Sequence, residues 1–210
     1  MLSTKIHPPR RRGDLVVRGR LLGPLTDVRA RLVLVTGPAG SGKTVLVRQW
    51  LDRVDEPCAW LTVDPRDNDP ARFWAYFAGA VSVSLPGLGW SSEEQVTAEL
   101  LETLADRLGA VAPLLMVIDD LHFLVDPEVL EQLDQLVRTL PAGVRLVLVS
   151  RAAPQLRLAR YRAAGELVEV RGRDLLFTTE ETGQVLGRPG RERPFWCGSG
   201  WTGSTSRARG

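Results

Sequence analysis

Lysine is almost absent from this chain. Of its 27 basic residues only Lys5 and Lys43 are lysines, and the remaining 25 are arginines. Cysteine is as scarce. Cys58 and Cys197 lie far apart, which excludes a disulfide framework and the paired spacing of a zinc site. Cys58 stands in an apolar run and reads as a small core residue, so a reducing compartment is expected. No apolar stretch approaches the ~18 residues that span a bilayer. The N-terminus carries no signal-peptide hydrophobic segment. A cytoplasmic chain with no membrane partner is therefore expected. The last stretch, residues 188–210, has no Leu, Val or Ile but five glycines and five arginines, and cannot supply a core.

What is present suits one sizeable core. The chain has 210 residues, 44% hydrophobic and 25% charged, with a net charge of only +2. The charge is uneven. Residues 1–20 hold Lys5, Arg10, Arg11, Arg12, Arg18 and Arg20 against Asp14 alone. Such a run reads as a solvated arm, with contact to a polyanion as the alternative.

Strand-like and helix-like segments alternate along the rest. Buried strands are expected at 31–36 (RLVLVT), 58–63 (CAWLTV), 113–120 (PLLMVIDD) and 144–151 (VRLVLVSR), with a weaker one at ELVEV. Helices are expected at about 43–53, from Pro70 with Asp69 as N-cap, from a serine cap near 91 to Gly109, from Pro127 with Asp126 as N-cap, and near 156–164. A further helix begins in FTTEETGQVLG, capped by Thr178 or Thr179. The repeated pattern specifies a three-layer α/β fold: a mostly parallel five-stranded sheet with helices on both faces.

Between the first strand and its helix stands GPAGSGKT, Gly37 to Thr44, which fits G-x-x-x-x-G-K-[ST]. Glycines there allow a tight turn at positive φ and leave no Cβ in the way. Successive N–H groups then line a concave anion nest, backed by the positive end of the helix. Gly37, Pro38, Ala39, Gly40, Ser41, Gly42, Lys43 and Thr44 are thus the candidate nucleotide cradle, with Lys43 on the β- and γ-phosphates and Thr44 on Mg²⁺. Asp119 and Asp120 end the third strand. Carboxylates buried there need a cation or hydrogen bonds, so Asp119 is assigned to Mg²⁺ and Asp120 to the attacking water. The alternative for either is a turn cap. Arg151, ending the fourth strand, is placed to sense a γ-phosphate or else forms a surface ion pair. With no lysine beyond Lys43, the Asn/Thr-Lys-x-Asp reader of guanine is missing, and ATP is the expected nucleotide. His122 reads as structural, and the acidic DPRDNDP (64–70) as turn and cap chemistry.

Taken with the motifs LSTKIHPPRRRGDLVVRGRLL, VTGPAGSGKTVLVRQW, AWLTVDPRDNDPARFWAYF, LMVIDDLH and LVLVSRAAPQLRLARYRAAGELVEVRGRDLLFTTEE, the chain resembles the N-terminal nucleotide-binding domain of the large, MalT-like, ATP-dependent LuxR-type transcriptional regulators, which belong to the STAND class of P-loop ATPases. The likeness covers about residues 2–187. It implies an ATP- and Mg²⁺-binding switch with slow hydrolysis, the fourth strand between the first and third, a phosphate contact for Arg151, and approach of an N-terminal arginine, here Arg18, to the nucleotide. It also implies ATP-dependent self-association in full-length members. The domains expected on this basis are an N-terminal arm at 1–24, a P-loop core at 25–176, the first helix of a truncated helical lid at 177–187, and a disordered or out-of-frame tail at 188–210. Full members continue into a sensor and a helix-turn-helix. This stretch contains no reader helix, so no specific DNA binding by it alone is expected. The residues leave two other readings open: a small-molecule kinase on the same P-loop fold, and a degraded, non-catalytic fragment.

Overall fold

Five Val- and Leu-rich runs make one parallel sheet: β1 (Leu32–Thr36), β2 (Cys58–Thr62), β3 (Leu114–Asp119), β4 (Val144–Ser150) and β5 (Leu167–Val170), in the order β2-β3-β4-β1-β5. The computed structural model describes residues 3–10, 15–27, 29–86, 88 and 97–187. The chain divides into two units, 1–176 and 177–210.

The helices of the first unit are α1 (Gly19–Leu25), α2 (Lys43–Leu51), α3 (Pro70–Ser84), α4 (Ala98–Val111), α5 (Pro127–Thr139) and α6 (Leu158–Ala163). Alternation along the strands builds two cores. Leu32 and Leu34 of β1 face Phe73, Phe77, Leu101, Leu133 and Tyr161 from α3 to α6. Val33 and Val35 face the other way, onto Leu21 and Leu25 of α1 and Leu46, Val47 and Trp50 of α2. Both sheet faces are therefore covered, which is why its strands are continuously apolar. The expected three-layer architecture is present, with β4 between β1 and β3.

Local chemistry sets the helix starts. Asp69 accepts the Arg72 N–H at 2.8 Å, and Asp126 accepts those of Glu128 and Val129, each just ahead of a proline. The acidic loop is turn chemistry as expected. Asp64 and Asp67 form a capping box around Pro65–Asn68. Among the described residues no group of three or more His, Cys, Asp or Glu could hold a metal.

Three expectations change. The helix expected from Ser91 has Thr97 as its N-cap, whose Oγ1 accepts the Leu100 N–H at 3.2 Å; most of 87–96 lies outside the described residues. That helix also runs through Gly109 to Val111, because the Leu101, Leu104 and Leu108 stripe carries it to Pro113. The N-terminal arm is not wholly solvated. Lys5 and Arg18 are buried, and α1 forms despite Gly19, Gly23 and Pro24 because Leu21, Leu22 and Leu25 share an apolar face.

In the second unit, α7 (Thr179–Leu186) starts at a capping box. Thr178 Oγ1 accepts the Glu181 N–H at 3.2 Å, and the Glu181 carboxylate accepts the Thr178 N–H at 3.0 Å. The tail reading for 188–210 falls outside the described residues. No helix among the described residues is long and apolar enough to cross a membrane.

Candidate nucleotide-binding site

The strand order brings the carboxyl ends of β1, β4 and β3 side by side. In open α/β sheets, ligands bind outside those ends. Register pairs Thr36 with Ser150 across β1 and β4, and the Gly37 N–H continues the ladder to Ser150 O at 3.2 Å. The chain then turns through the glycine loop into α2.

Two of the loop glycines have specific reasons. A Cβ on Gly37 would stand 2.9 Å from Ser41 Oγ and 3.2 Å from Gly172 Cα. Gly42 has φ of 83°, the left-handed region that glycine alone enters without cost, and it is the N-cap of α2. The first N–H groups of α2 have no partner one turn back, so the loop and helix end together present donors and partial positive charge.

Lys43 is 8% exposed, and its Nζ donates to Gly37 O at 2.8 Å and Pro38 O at 2.9 Å. Burial holds its pKa below the usual lysine range, the nearby Asp119 and Asp120 oppose that, and Arg151 adds to it. Thr44 Oγ1 donates to Asp119 Oδ2 at 2.9 Å, and Asp119 Oδ1 accepts the Asp120 N–H at 2.9 Å. Asp120 lies at φ 57°, a left-handed conformation that aspartate tolerates better than most residues. The two neighbouring carboxylates are thereby unequal: Asp119 is buried, while the Asp120 side chain is 42% exposed.

The structure therefore brings Lys43, Thr44, Asp119 and Asp120 into one site, with Arg151 exposed at the end of β4 and close enough to act on Lys43 electrostatically. Arg18 also reaches the loop, donating to Ser41 O. His122, expected to be structural, lies beside these acids. Its Nδ1 is 3.8 Å from Asp120 Oδ1, and neither ring nitrogen has a hydrogen-bond partner among the described residues. Burial, then the charge of Arg151, pushes its pKa down, and Asp120 opposes that. Ser41 Oγ and Ser150 Oγ are likewise buried, with no hydrogen-bond partner among the described residues. The signal for Ser150 was a polar residue closing an otherwise apolar strand; for His122 it was a histidine just beyond two strand-end acids.

These residues fit a metal-chelated polyphosphate. A hydroxyl–carboxylate pair, a buried ammonium and the orphaned Ser41 hydroxyl lie in or beside the loop. Mg²⁺ demands six oxygens and usually takes several from water and phosphate. Thr44 and Asp119 would supply the protein's share.

Asp119 also yields a stability prediction. Burial pushes its pKa up to about 6, with the Thr44 hydrogen bond opposing and the Asp120 charge assisting. A carboxyl raised in the folded state is stable when protonated, so stability falls as pH rises from about 4 to about 6. The penalty above pH 6 is at most about 3 kcal/mol. Asn fits the position: its oxygen can accept the Asp120 N–H while its amide donates to Thr44. Without ligand at pH 7, Asp119→Asn should melt ~5 °C higher than the wild type, with the gain disappearing toward pH 4. A lower midpoint at pH 7 would contradict the assigned burial cost.

The family model described as "AAA domain" matches residues 26–157. The HTH-type transcriptional regulator MalT of Cronobacter sakazakii is 34% identical over 195 residues, covering 89% of this chain and 22% of the regulator. Among solved structures, Cdc6p from Pyrobaculum aerophilum aligns with a TM-score of 0.58 at 18% identity, over 87% of this chain and 53% of that one. The ORC2 protein of Aeropyrum pernix, solved as ADPNP–ADP complexes, aligns with a TM-score of 0.53 at 15% identity, over 87% and 55%. At these identities the structural matches speak for the fold alone. The chain spans about a fifth of the regulator it matches and about half of each solved chain.

Proposed function

The chain belongs to the AAA domain family, and from that premise we propose that it is the ATP- and Mg²⁺-binding switch domain of a MalT-type, LuxR-family transcriptional regulator. One observation carries the reading. The Thr44–Asp119 hydrogen bond joins the glycine loop to the end of β3, with Lys43 held on loop carbonyls within electrostatic reach of the acids. A generic glycine turn has no reason to bring a hydroxyl onto a buried carboxylate beside a buried ammonium.

In this reading the loop N–H groups of 37–44 bind the phosphates, and Lys43 exchanges its two carbonyl partners for β- and γ-phosphate oxygens. Thr44 and Asp119 hold Mg²⁺, which when bound neutralises phosphate charge. Asp120, beside His122, orients the attacking water. Arg151 contacts the γ-phosphate and so distinguishes ATP from ADP. Asp120 is one methylene shorter than glutamate and reaches the water less well, which keeps hydrolysis slow. The bound nucleotide then sets the conformation, as in other phosphate-held switches. Self-association with ATP, and any action on DNA, belong to the longer regulator.

The test is ADP formation from radiolabelled ATP by the purified chain with Mg²⁺ and no acceptor. Slow turnover, unaffected by added small-molecule alcohols and amines, is expected. ADP formed only when an acceptor is added would replace the switch with a kinase.

A further inference from the structure

Arg18 lies against the glycine loop at Ser41 and Gly42. It is 5% exposed, and Nη1 and Nη2 both donate to Ser41 O, at 3.3 and 3.2 Å. A trans peptide is planar, with its C=O and N–H pointing in opposite directions. A guanidinium fixed on the Ser41 carbonyl therefore fixes the Gly42 N–H pointing the other way, away from Arg18. The guanidinium also occupies the space that a Cβ on Gly42 would need.

The same Arg18 Nη1 donates to Leu175 O at 2.9 Å. Two residues on, Arg20 donates to Asp174 O at 2.8 Å and Leu176 O at 2.7 Å. Three successive carbonyls are thus held by the start of α1. Their segment touches the loop directly, since a Cβ on Gly172 would meet Pro38 Cδ at 3.3 Å. In the chain, Leu176 precedes Phe177, the first residue of the second unit.

We propose that Arg18 is a positioning residue: it orients the Ser41–Gly42 peptide for phosphate binding and couples that peptide to residues 171–176, the stretch leading into the second unit. The idea rests on the nucleotide reading above and adds a route by which occupancy of the cradle is felt at the boundary. Coupling of this kind is reciprocal, so ordering of 171–176 also strengthens nucleotide binding.

Hydrogen exchange on the wild-type chain gives the first test. The Asp174 and Leu175 N–H groups bond to Arg171 O, so they report on the integrity of this turn. ADP with Mg²⁺ should slow exchange in the loop and at 174–176 together. Arg18→Lys keeps the charge but lacks the fork that bridges two carbonyls. It should weaken ADP and ATP by the same factor, ~10-fold, abolish the nucleotide-dependent protection at 174–176, and speed exchange there without nucleotide. Three results would overturn the proposal: loop protection with 174–176 unchanged, an unaltered affinity in Arg18→Lys, or a loss confined to ATP, which would make Arg18 a γ-phosphate contact. If the wild type binds no nucleotide, the site reading fails, while unchanged exchange at 171–176 in Arg18→Lys would separately refute the clamp.

Discussion

Lys43→Ala should bind ATP with Mg²⁺ at least ~100-fold more weakly than the wild type, with its unliganded melting point nearly unchanged. The first half follows from what the ammonium does. It is the cation seated within the glycine loop, and charge-assisted bonds to two phosphate groups are together worth about 3 kcal/mol or more. The second half follows from what it costs. Lys43 is buried and its pKa is held down by that burial, so its charge is not a net source of folding stability. Removing it frees the Gly37 and Pro38 carbonyls, and Pro38 is exposed to solvent. The opposite pattern, a large loss of stability with affinity preserved, would make Lys43 a structural strut.

The other lysine should give the mirror image. Lys5→Met is expected to cost about 2–4 kcal/mol of stability and to leave nucleotide affinity of the folded chain nearly unchanged. Lys5 Nζ bonds Asp64 Oδ2 at 3.0 Å and bonds Asp67, whose side chain is fully buried. It also sits 4.4 Å from the centre of the Tyr76 ring. Methionine keeps the apolar stem and removes the charge, leaving Asp67 with Arg72 Nε at 3.0 Å and the Asp64 N–H at 2.8 Å. A buried carboxylate that loses one of its cations accounts for the cost. Adding Asp67→Asn to Lys5→Met should return part of the stability in urea melts; a double variant as unstable as the sum of the singles would show that the two side chains do not interact.

Much of this was written in the sequence because its causes are local. Strands buried on both faces leave unbroken apolar runs, so RLVLVT, LLMVID and VRLVLVS announce the sheet. Asp–Pro pairs at 69–70 and 126–127 announce two helix starts, since cap and first-turn proline act within a few residues. The glycine spacing of 37–42 announces the loop because only that backbone path needs it. The remainder depends on partners far along the chain. Arg18 meets Leu175 across 157 positions and Lys5 meets Asp67 across 62, so a basic arm could not be told from a buried one. His122 looks structural in sequence because nothing in DDLH says that both its nitrogens lack partners among the described residues. Gly109 looked like a stop because glycine often is one; here Leu108 and Val111 still have a core to pack on.

The most direct measurement is a calorimetric titration of the chain with ATP, once with Mg²⁺ and once with EDTA, in parallel with Lys43→Ala. One saturable site is expected, weaker in EDTA and lost in the variant. Equal affinity in wild type and variant, or no saturable heat from a chain shown to be folded, would contradict a phosphate cradle at Gly37–Thr44.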